Sequence, residues 1–284
     1  MVYEEKLYIL GSTGNTGQPL VNKLLKNPKV SLTLYTRSPA KVQQLFGEQP
    51  DGKLQIVQGD FNDKGAFRKS IQGHKRLFLL IQVLDFKNYL IIVREFAQIA
   101  YDAGVAQIVL ISGTSGSMPY RTTAFNPIIL EGVLSIKDRG DLIALCPGNF
   151  MSNQFNPGAD VDTVKNISKI FDVREPDQKN PWISPNDIGE IAANILQDPI
   201  EKHEDAVYEL VGDPNTPKEY VEILIRYYDI LTKQAGLPHK MAFTLLYYAK
   251  CLVIDNASPG LSVLLGRQPE TLEQWVEKHK YAFM

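Results

Sequence analysis

The segment at residues 7–17 constrains the fold more than any other part of the chain. An apolar run ends in Gly11, Gly14 and Gly17, which are spaced three apart, and leucine and valine then recur at helical spacing. A strand, a glycine turn and a helix in this order let bare backbone approach a pyrophosphate, and the helix N-terminus directs its partial positive charge at the same place. An ordinary strand–helix turn is the alternative, but the position directly after the first strand favours dinucleotide binding.

The three glycines have separate predicted roles. Gly11 would form the tight turn, Gly14 would allow the close approach to the phosphates, and Gly17 would permit the helix–strand contact. We expect the whole loop to bind the dinucleotide, through Gly11, Ser12, Thr13, Gly14, Asn15, Thr16 and Gly17.

Strand and helix signals alternate through the first half of the chain. The predicted strands cover residues 6–10, 31–35, 54–57, 76–81, 107–111 and 142–145, and the predicted helices cover residues 16–26, 39–46, 63–71, 89–103 and 126–136. The strands are nearly continuous apolar runs, as expected when helices cover both faces of a parallel sheet. We therefore predict an α/β fold, a Rossmann-like doubly wound parallel sheet, with ligands bound at the carboxyl ends of its strands.

This alternation breaks after Pro147 and Gly148. Residues 153–185 are rich in Asn, Pro, Asp and Gly, which predicts loops with a short strand near residues 170–173. A helix at 186–196, with Ser184, Asn186 or Asp187 as its cap, a strand at 207–211, and helices at 217–235, 240–254 and 272–279 follow. We expect a nucleotide-binding lobe at residues 1–152, completed by the helix at 186–197, and a smaller, mostly helical substrate or partner lobe at residues 153–185 and 207–284.

The end of the second predicted strand indicates which dinucleotide binds. NAD-binding proteins normally place a carboxylate there to accept hydrogen bonds from the adenine ribose, but this chain has Arg37 and, further on, Lys41. A carboxylate would repel a 2′-phosphate, whereas a guanidinium binds it through two hydrogen bonds. We therefore predict NADP as the cofactor; a solvated arginine without a ligand is the alternative.

Further cofactor contacts are expected after the next strands. Asp60 and Phe61 follow the third strand, where the carboxylate would accept a hydrogen bond from the adenine amino group and the backbone would lie along the ring. Helix capping is the alternative, with Asn62 or Asp63 at the start of the next helix. We also assign Ile81 and Gln82, at the end of the fourth strand, and Ser112, after the fifth, to the cofactor site.

Composition excludes several classes of protein. A net charge of −2 and a pI near 6.1 give no attraction to nucleic acid or to an anionic membrane. The two cysteines, Cys146 and Cys251, lie far apart and favour a reducing compartment. The N-terminus does not resemble a signal peptide, and charged residues interrupt the apolar run at residues 237–254, so we expect a cytoplasmic protein. The four histidines form no cluster with metal-ligand spacing, so we expect no metal site.

These motifs together resemble the NmrA-like branch of atypical short-chain dehydrogenase/reductase proteins. The matches are the glycine loop, Arg37, Gly59-Asp60, the run from Pro147 to Asn153, the run from Ser184 to Ala192 and the run from Gly266 to Leu272. The resemblance implies an NADP-binding lobe, a smaller C-terminal lobe and a cleft between them. It also implies cofactor contacts by Pro147, Gly148, Asn149 and Phe150, and it includes both reductases and cofactor-sensing regulators. Many relatives have an arginine where this chain has Cys146, so the resemblance departs at this position.

The proton-transfer residues of the wider superfamily are missing. Reductases there use a Tyr-x-x-x-Lys pair, but no tyrosine of this chain has a lysine four residues later. The corresponding positions are Ala124 and Ile128, and the resemblance also implies a lysine at the second of these, three residues before Glu131. Lys137 would lie on the opposite face of a continuous helix. Ser112 and Tyr120 are candidate weak proton donors, the alternative being that Ser112 binds backbone or cofactor and Tyr120 packs in a loop.

We therefore assign no catalytic residue and keep two functions. The first, which we favour, is an NADP(H)-binding protein that senses the redox state of the cofactor and reports it to a protein partner. The second is an NADPH-dependent reductase of a carbonyl, quinone or enone small molecule bound in the inter-lobe cleft. The sequence supports neither a nucleic-acid nor a membrane partner.

Overall fold

The computed structural model describes residues 3–81, 86–112, 125–155, 177–227, 257–258 and 260–283. In chain order, the elements that open the chain are β1 (Glu5–Leu10), α1 (Gly17–Leu25), β2 (Val30–Thr36), α2 (Pro39–Phe46), β3 (Leu54–Gln58), α3 (Gly65–Ser70), β4 (Arg76–Leu79), α4 (Phe86–Asp102), β5 (Gln107–Ile111), α5 (Phe125–Leu134) and β6 (Asp141–Pro147). The elements that follow are β7 (Asn149–Phe150), β8 (Asn180–Ile183), α6 (Pro185–Ile195), β9 (Val207–Leu210), β10 (Asp213–Asn215), α7 (Pro217–Tyr227), α8 (Leu261–Leu265) and α9 (Leu272–Phe283).

A seven-stranded sheet has the order β3-β2-β1-β4-β5-β6-β9. The pairings from β3 through β6 are all parallel. Every residue of β2, β4 and β5 is buried, which is the burial expected of strands with both faces covered. The predicted Rossmann-like doubly wound fold is therefore confirmed, and the six predicted strands and five predicted helices of the first half are present within a few residues of their predicted bounds.

An aromatic cluster lies in the core on one side of this sheet. Tyr8, Tyr35, Phe67 and Phe96 are buried, and the Tyr8 and Phe67 rings meet edge to face with centroids 5.3 Å apart. Such contacts between rings add to the free energy gained by burying their apolar surface. The cluster packs β1 and β2 against α3 and α4, which gives the carboxyl ends of these two strands a rigid support.

The chain divides into two compact units. Among the described residues, the first contains residues 3–81, 86–112, 125–146 and 188–208, and the second contains residues 147–155, 177–187, 209–227, 257–258 and 260–283. The second unit carries a three-stranded sheet of order β10-β8-β7, together with α7, α8 and α9. Across the described residues, no helix combines the length and apolarity needed to cross a membrane.

The sequence missed this small sheet. Residues 180–183 were predicted to be loop, but they form β8, which pairs antiparallel with β10 and parallel with β7. Asn180 and Pro181 are typical of turns, so the local pattern conceals a strand whose pairing depends on distant residues. Helix α8 was also not predicted. The strand predicted near 170–173, the helix predicted at 240–254 and the end of the helix predicted at 217–235 lie outside the described residues.

Candidate dinucleotide site

The glycine loop has two tightly packed ends and an open middle. Gly11 has a φ of +84°, and a Cβ at this position would lie 2.8 Å from the carbonyl oxygen of Leu80. A Cβ at Gly17 would lie 2.0 Å from the carbonyl oxygen of Gly11, so only glycine lets α1 begin against the end of β1. Within the part of the chain that the structure describes, a Cβ at Gly14 would meet only that same oxygen, at 3.5 Å, an ordinary contact distance. The loop thus leaves room for a ligand at Gly14 and nowhere else among its three glycines.

The first turn of α1 is suited to an anion. It contains no acidic residue, and Thr16, at the N-cap position, makes no side-chain hydrogen bond to the helix. The first backbone N–H groups of a helix lack partners within it, and they bind phosphate oxygens readily. Ser12 is buried, and its Oγ has no hydrogen-bond partner among the described residues. Thr13 is half-buried and Asn15 is exposed. These residues fit a bound pyrophosphate, and their contact with one stays a prediction.

Arg37 is exposed directly after β2, with its guanidinium carbon 5.8 Å from the centroid of the Phe61 ring. Lys41 is exposed in α2. The guanidinium also lies near enough to Asp60 to lower the pKa of its carboxyl group, a smaller effect than that of the hydrogen bonds described below. The structure therefore brings together Arg37, Asp60 and Phe61, three residues assigned from sequence to the adenosine side of the cofactor.

Tyr35 holds the loop that carries Asp60 and Phe61. Its hydroxyl donates to the backbone oxygens of Asp60 at 2.8 Å and Asp63 at 3.2 Å. Burial raises the pKa of Tyr35 to about 12, so the phenol stays protonated and remains a donor. A Cβ at Gly59 would lie 2.2 Å from the same hydroxyl oxygen, which explains the glycine after β3. This role of Tyr35 cannot be predicted from the local sequence, because its partners lie 25 and 28 residues away.

Asp60 and Asp63 divide the two roles that the sequence left open. Asp60 Oδ1 accepts the backbone N–H groups of Asn62 at 2.7 Å and Asp63 at 2.9 Å, and the bonds from Asp63 and Asn62 hold the pKa of Asp60 below its usual range. Asp63 Oδ1 accepts the N–H of Gly65 at 2.8 Å, at the start of α3. The helix start is therefore served by Asp63. The exposed Asp60 shapes the turn, and its bond to an adenine amino group stays a prediction.

The remaining assigned residues of the first unit follow β4 and β5. Ile81 is buried, and Gln82 lies outside the described residues. Ser112 is half-buried, and its backbone N–H donates to the oxygen of Leu145 at 2.8 Å, which continues the pairing of β5 with β6. Because β1 to β5 are parallel, Gly11, Arg37, Asp60, Ile81 and Ser112 follow strand ends at one edge of the sheet, where such folds bind ligands.

In the second unit, the run from Pro147 to Phe150 builds the small sheet. Pro147 is buried, and a Cβ at Gly148 would lie 2.1 Å from the oxygen of Pro181. The Asn149 amide donates to Asn180 Oδ1, and Phe150 is paired with Ile183 in the ladder. These packing roles were not predicted from the sequence, and the cofactor contacts that the resemblance implies for the four residues stay predictions.

The second unit also contains a buried polar network around Asp187. Its carboxylate accepts one hydrogen bond from the Arg267 guanidinium and one from the backbone N–H of Glu270, each at 2.7 Å. Of the three candidate caps of α6, Ser184 is the one whose oxygen accepts a backbone N–H of the helix, from Asn186 at 3.2 Å. The network thus joins two motifs that carried the family resemblance, the run from Ser184 to Ala192 and the run from Gly266 to Leu272.

Of the two positions that correspond to the missing Tyr-x-x-x-Lys pair, the structure describes one. Ala124 and Tyr120 lie outside the described residues, and Ile128 lies within α5. Lys137 does not belong to a face of α5, because this helix ends at Leu134 and Lys137 is exposed in the turn beyond it. Cys146 is buried. Within the part of the chain that the structure describes, no three His, Cys, Asp or Glu side chains form a group that could hold a metal ion.

Glu209, on β9, is the titratable group that sequence reasoning missed. It is half-buried, its Oε2 has no hydrogen-bond partner among the described residues, and burial raises its pKa from 4.5 to about 7. A raised carboxyl pKa favours the protonated folded state, so this contribution to stability is complete below pH 4.5 and is lost as the pH rises to about 7.

We therefore expect the Glu209→Gln protein to lose part of this pH dependence. The melting temperature of the wild type should fall more between pH 5 and pH 8 than that of the variant, by about 2–4 °C for each kcal/mol of lost stability. Calorimetric melts at the two pH values measure it, with Glu201→Gln, an exposed glutamate, as the matched control. Equal pH dependence in the wild type and Glu209→Gln would contradict the assignment.

Comparison with known proteins agrees with this geometry. Residues 11–142 match the sequence model of the NAD(P)H-binding family. The oxidoreductase ordB of Dothistroma septosporum is 32% identical over 96 residues, which are 34% of this chain and 36% of that protein. The match thus spans about a third of that relative.

Solved structures cover nearly the whole chain. The NADPH-dependent quinone oxidoreductase of Escherichia coli, complexed with NADPH, has a TM-score of 0.78 at 23% identity, over 96% of this chain and 99% of that one. NmrA, a negative transcriptional regulator complexed with NADP, has a TM-score of 0.75 at 13% identity, over 97% and 95%. At these identities the likeness shows the fold.

Fold, glycine loop and family match together define an NAD(P)-binding protein with a Rossmann-like fold. Within this class, the chain resembles the NmrA-like branch of atypical short-chain dehydrogenase/reductase proteins, as its motifs predict.

Proposed function

We propose that the protein binds NADP(H) in preference to NAD(H) and uses NADPH to reduce a small molecule. The preferred substrate class is a quinone. The observation that carries the cofactor preference is the exposed Arg37 guanidinium beside Phe61 and Asp60, at the strand end where an NAD-binding protein would have a carboxylate. A guanidinium there binds the 2′-phosphate, and Lys41 adds a second positive charge.

The glycine loop and the first turn of α1 bind the pyrophosphate in this proposal. Gly14 offers backbone with no side chain in the way, and the first turn of α1 carries no carboxylate and no side-chain cap. Phe61 and the backbone around it lie along the adenine, held in place by the hydroxyl of Tyr35. Every one of these groups binds or orients the cofactor, and none of them transfers a proton.

The missing proton-transfer pair favours one class of substrate. When bound, NADPH supplies a hydride, so a quinone takes up the hydride and one proton and becomes a hydroquinone, while NADPH becomes NADP. The first product of hydride uptake is a phenolate, whose conjugate acid has a pKa of about 10, as tyrosine has, and water can protonate it. A simple ketone would give a far more basic alkoxide that needs an acid in the site. General acid catalysis contributes about 10²–10⁴-fold, so its absence disfavours ketones most.

The names of similar proteins support the proposed reductase activity. Six curated proteins match part of the chain and each is named an oxidoreductase, and the fold extends to the quinone oxidoreductase of Escherichia coli.

The test follows NADPH oxidation with menadione, cyclohexenone and cyclohexanone. We expect turnover to be fastest with menadione, absent with cyclohexanone, and abolished by Gly14→Asp, which places a carboxylate where the pyrophosphate would lie. Tight NADPH binding with no turnover on any of the three would contradict the reductase.

A cofactor-sensing regulator is the second candidate. The observation in its favour is that no tyrosine of the chain is followed by a lysine four residues later, and the fold is also that of the transcriptional regulator NmrA. A sensor must bind the oxidised and reduced cofactor with different affinity, because equal affinity shifts no equilibrium. Titration calorimetry with NADP, NADPH, NAD and NADH measures this. A difference of about tenfold between NADP and NADPH, together with no turnover, would replace the reductase by the sensor.

A further inference from the structure

Helix α6 lies against the first turn of α1 at Gly189. A Cβ at Gly189 would lie 2.5 Å from the carbonyl oxygen of Thr16, 2.9 Å from the backbone nitrogen of Leu20 and 2.7 Å from Pro19 Cγ. Two of these three atoms are backbone, so no side-chain rotation relieves the overlap. The backbone of α6 therefore contacts the backbone of the turn that begins α1.

The contact falls on a turn that contains one long hydrogen bond. Leu20 N donates to the oxygen of Thr16 at 3.4 Å, a long hydrogen bond, and a methyl group at Gly189 would press against both of these atoms. Thr16 and Leu20 are both buried, as is Gly189. Since packed interiors transmit strain, a group added at Gly189 would displace the turn.

Other contacts show that α6 and the segment after it run along α1. Lys23 of α1 lies 3.7 Å from the Glu190 carboxylate, and the Asn27 amide donates to Gln197 Oε1 at 2.7 Å. Both pairs join side chains that can adjust. The contact at Gly189 joins two backbones, and it falls on the N-terminal end of α1, which has no side-chain cap.

We propose that Gly189 is a positioning residue for the dinucleotide pyrophosphate. By allowing α6 to approach, it fixes the first turn of α1, and with it the backbone at the start of this helix that would face the phosphates. The inference rests on the proposed function, because it takes the glycine loop as the cofactor site. It adds a determinant of cofactor affinity 172 residues along the chain from Gly17, in a helix that does not itself hold the ligand.

Gly189→Ala tests this, with Gly132→Ala as the matched control. Gly132 also lies in a helix, α5, but a Cβ there would meet no atom of the described residues within 4 Å. Dissociation constants are measured for NADPH, NADH and adenosine 2′-monophosphate. We expect Gly189→Ala to weaken NADPH and NADH by the same factor, roughly tenfold or more, because misplaced contacts lose affinity steeply with distance.

Adenosine 2′-monophosphate separates positioning from general damage to the fold. It contains the 2′-phosphate and the adenine but no pyrophosphate, so its binding to Gly189→Ala should equal that of the wild type. Gly132→Ala should leave all three constants unchanged. If Gly189→Ala binds NADPH and NADH as the wild type does, or weakens all three ligands equally, the inference is wrong. If the wild type binds neither dinucleotide, the proposed function is wrong and the inference with it.

A second measurement needs no substitution, should Gly189→Ala fail to fold. Coupling between two parts of a protein is reciprocal, so NADPH that orders the turn also stabilises the contact with α6. NADPH should slow hydrogen exchange of the amides at residues 188–192 together with those at 16–20, and more than it slows exchange in α5. Slowing that is confined to residues 16–20 would overturn the inference.

Discussion

The Gly14→Ala protein is expected to fold as the wild type does and to bind NADPH about 10- to 100-fold more weakly. A Cβ at this position meets only one backbone atom, at 3.5 Å, so the free protein accommodates it. The same methyl group takes the space through which the pyrophosphate would approach the backbone, and steric overlap of this kind costs about 1–3 kcal/mol. Titration calorimetry measures the affinity, and the melting temperature reports the fold.

The neighbouring glycine provides the contrast. In Gly17→Ala the new Cβ would lie 2.0 Å from the carbonyl oxygen of Gly11, so this protein should lose stability rather than affinity alone. If Gly14→Ala melts well below the wild type, or binds NADPH equally well, then Gly14 does not face the cofactor and the loop does not bind the phosphates as proposed.

Arg37→Ala should abolish the preference for NADPH and leave NADH binding unchanged. Hydrogen bonds between charged groups are worth about 1.5–3 kcal/mol, so we expect NADPH to bind roughly 10- to 100-fold more weakly. Arg37 is exposed and sits over Phe61, so its removal should not unfold the protein. Affinities for NADPH, NADH and adenosine 2′-monophosphate, each measured at two salt concentrations, provide the readout.

An exposed arginine elsewhere controls for the loss of charge. Arg94 lies in α4 and is exposed, so Arg94→Ala should leave both affinities as they are. An equal loss of NADPH and NADH affinity in Arg37→Ala would mean that the guanidinium does not read the 2′-phosphate. Arg37→Ala and Gly189→Ala together separate the two halves of the cofactor. Arg37→Ala should alter the ratio of the NADPH and NADH affinities, whereas Gly189→Ala should leave that ratio unchanged.

The sequence predicts the parts of this molecule that depend on nearby residues. Apolar runs mark β1 to β6, and the glycine spacing identifies the turn between β1 and α1 because strand, turn and helix are adjacent. The same is true of Asp63 at the start of α3, which is two residues from the N–H that it binds.

What the sequence does not predict depends on residues that meet only in the folded chain. Gly148 must be glycine because Pro181 approaches it, and Gly189 must be glycine because Thr16 does. The local pattern predicts Tyr35 as a residue of β2, but its hydroxyl shapes the loop after β3. Lys137 was judged by the periodicity of a helix that ends before reaching it. For Gly148, Gly189 and Tyr35 the local pattern is correct and the partner is distant.

The closeness of Arg37 and Asp60 has a consequence for any attempt to change the cofactor. Exchanging the guanidinium for the carboxylate of an NAD-binding protein would set two negative charges side by side where attraction now exists. Two neighbouring carboxylates repel each other, and the repulsion raises the pKa of one of them. A switch to NAD therefore requires a paired substitution, in which the charge at position 60 is removed as the new carboxylate is introduced.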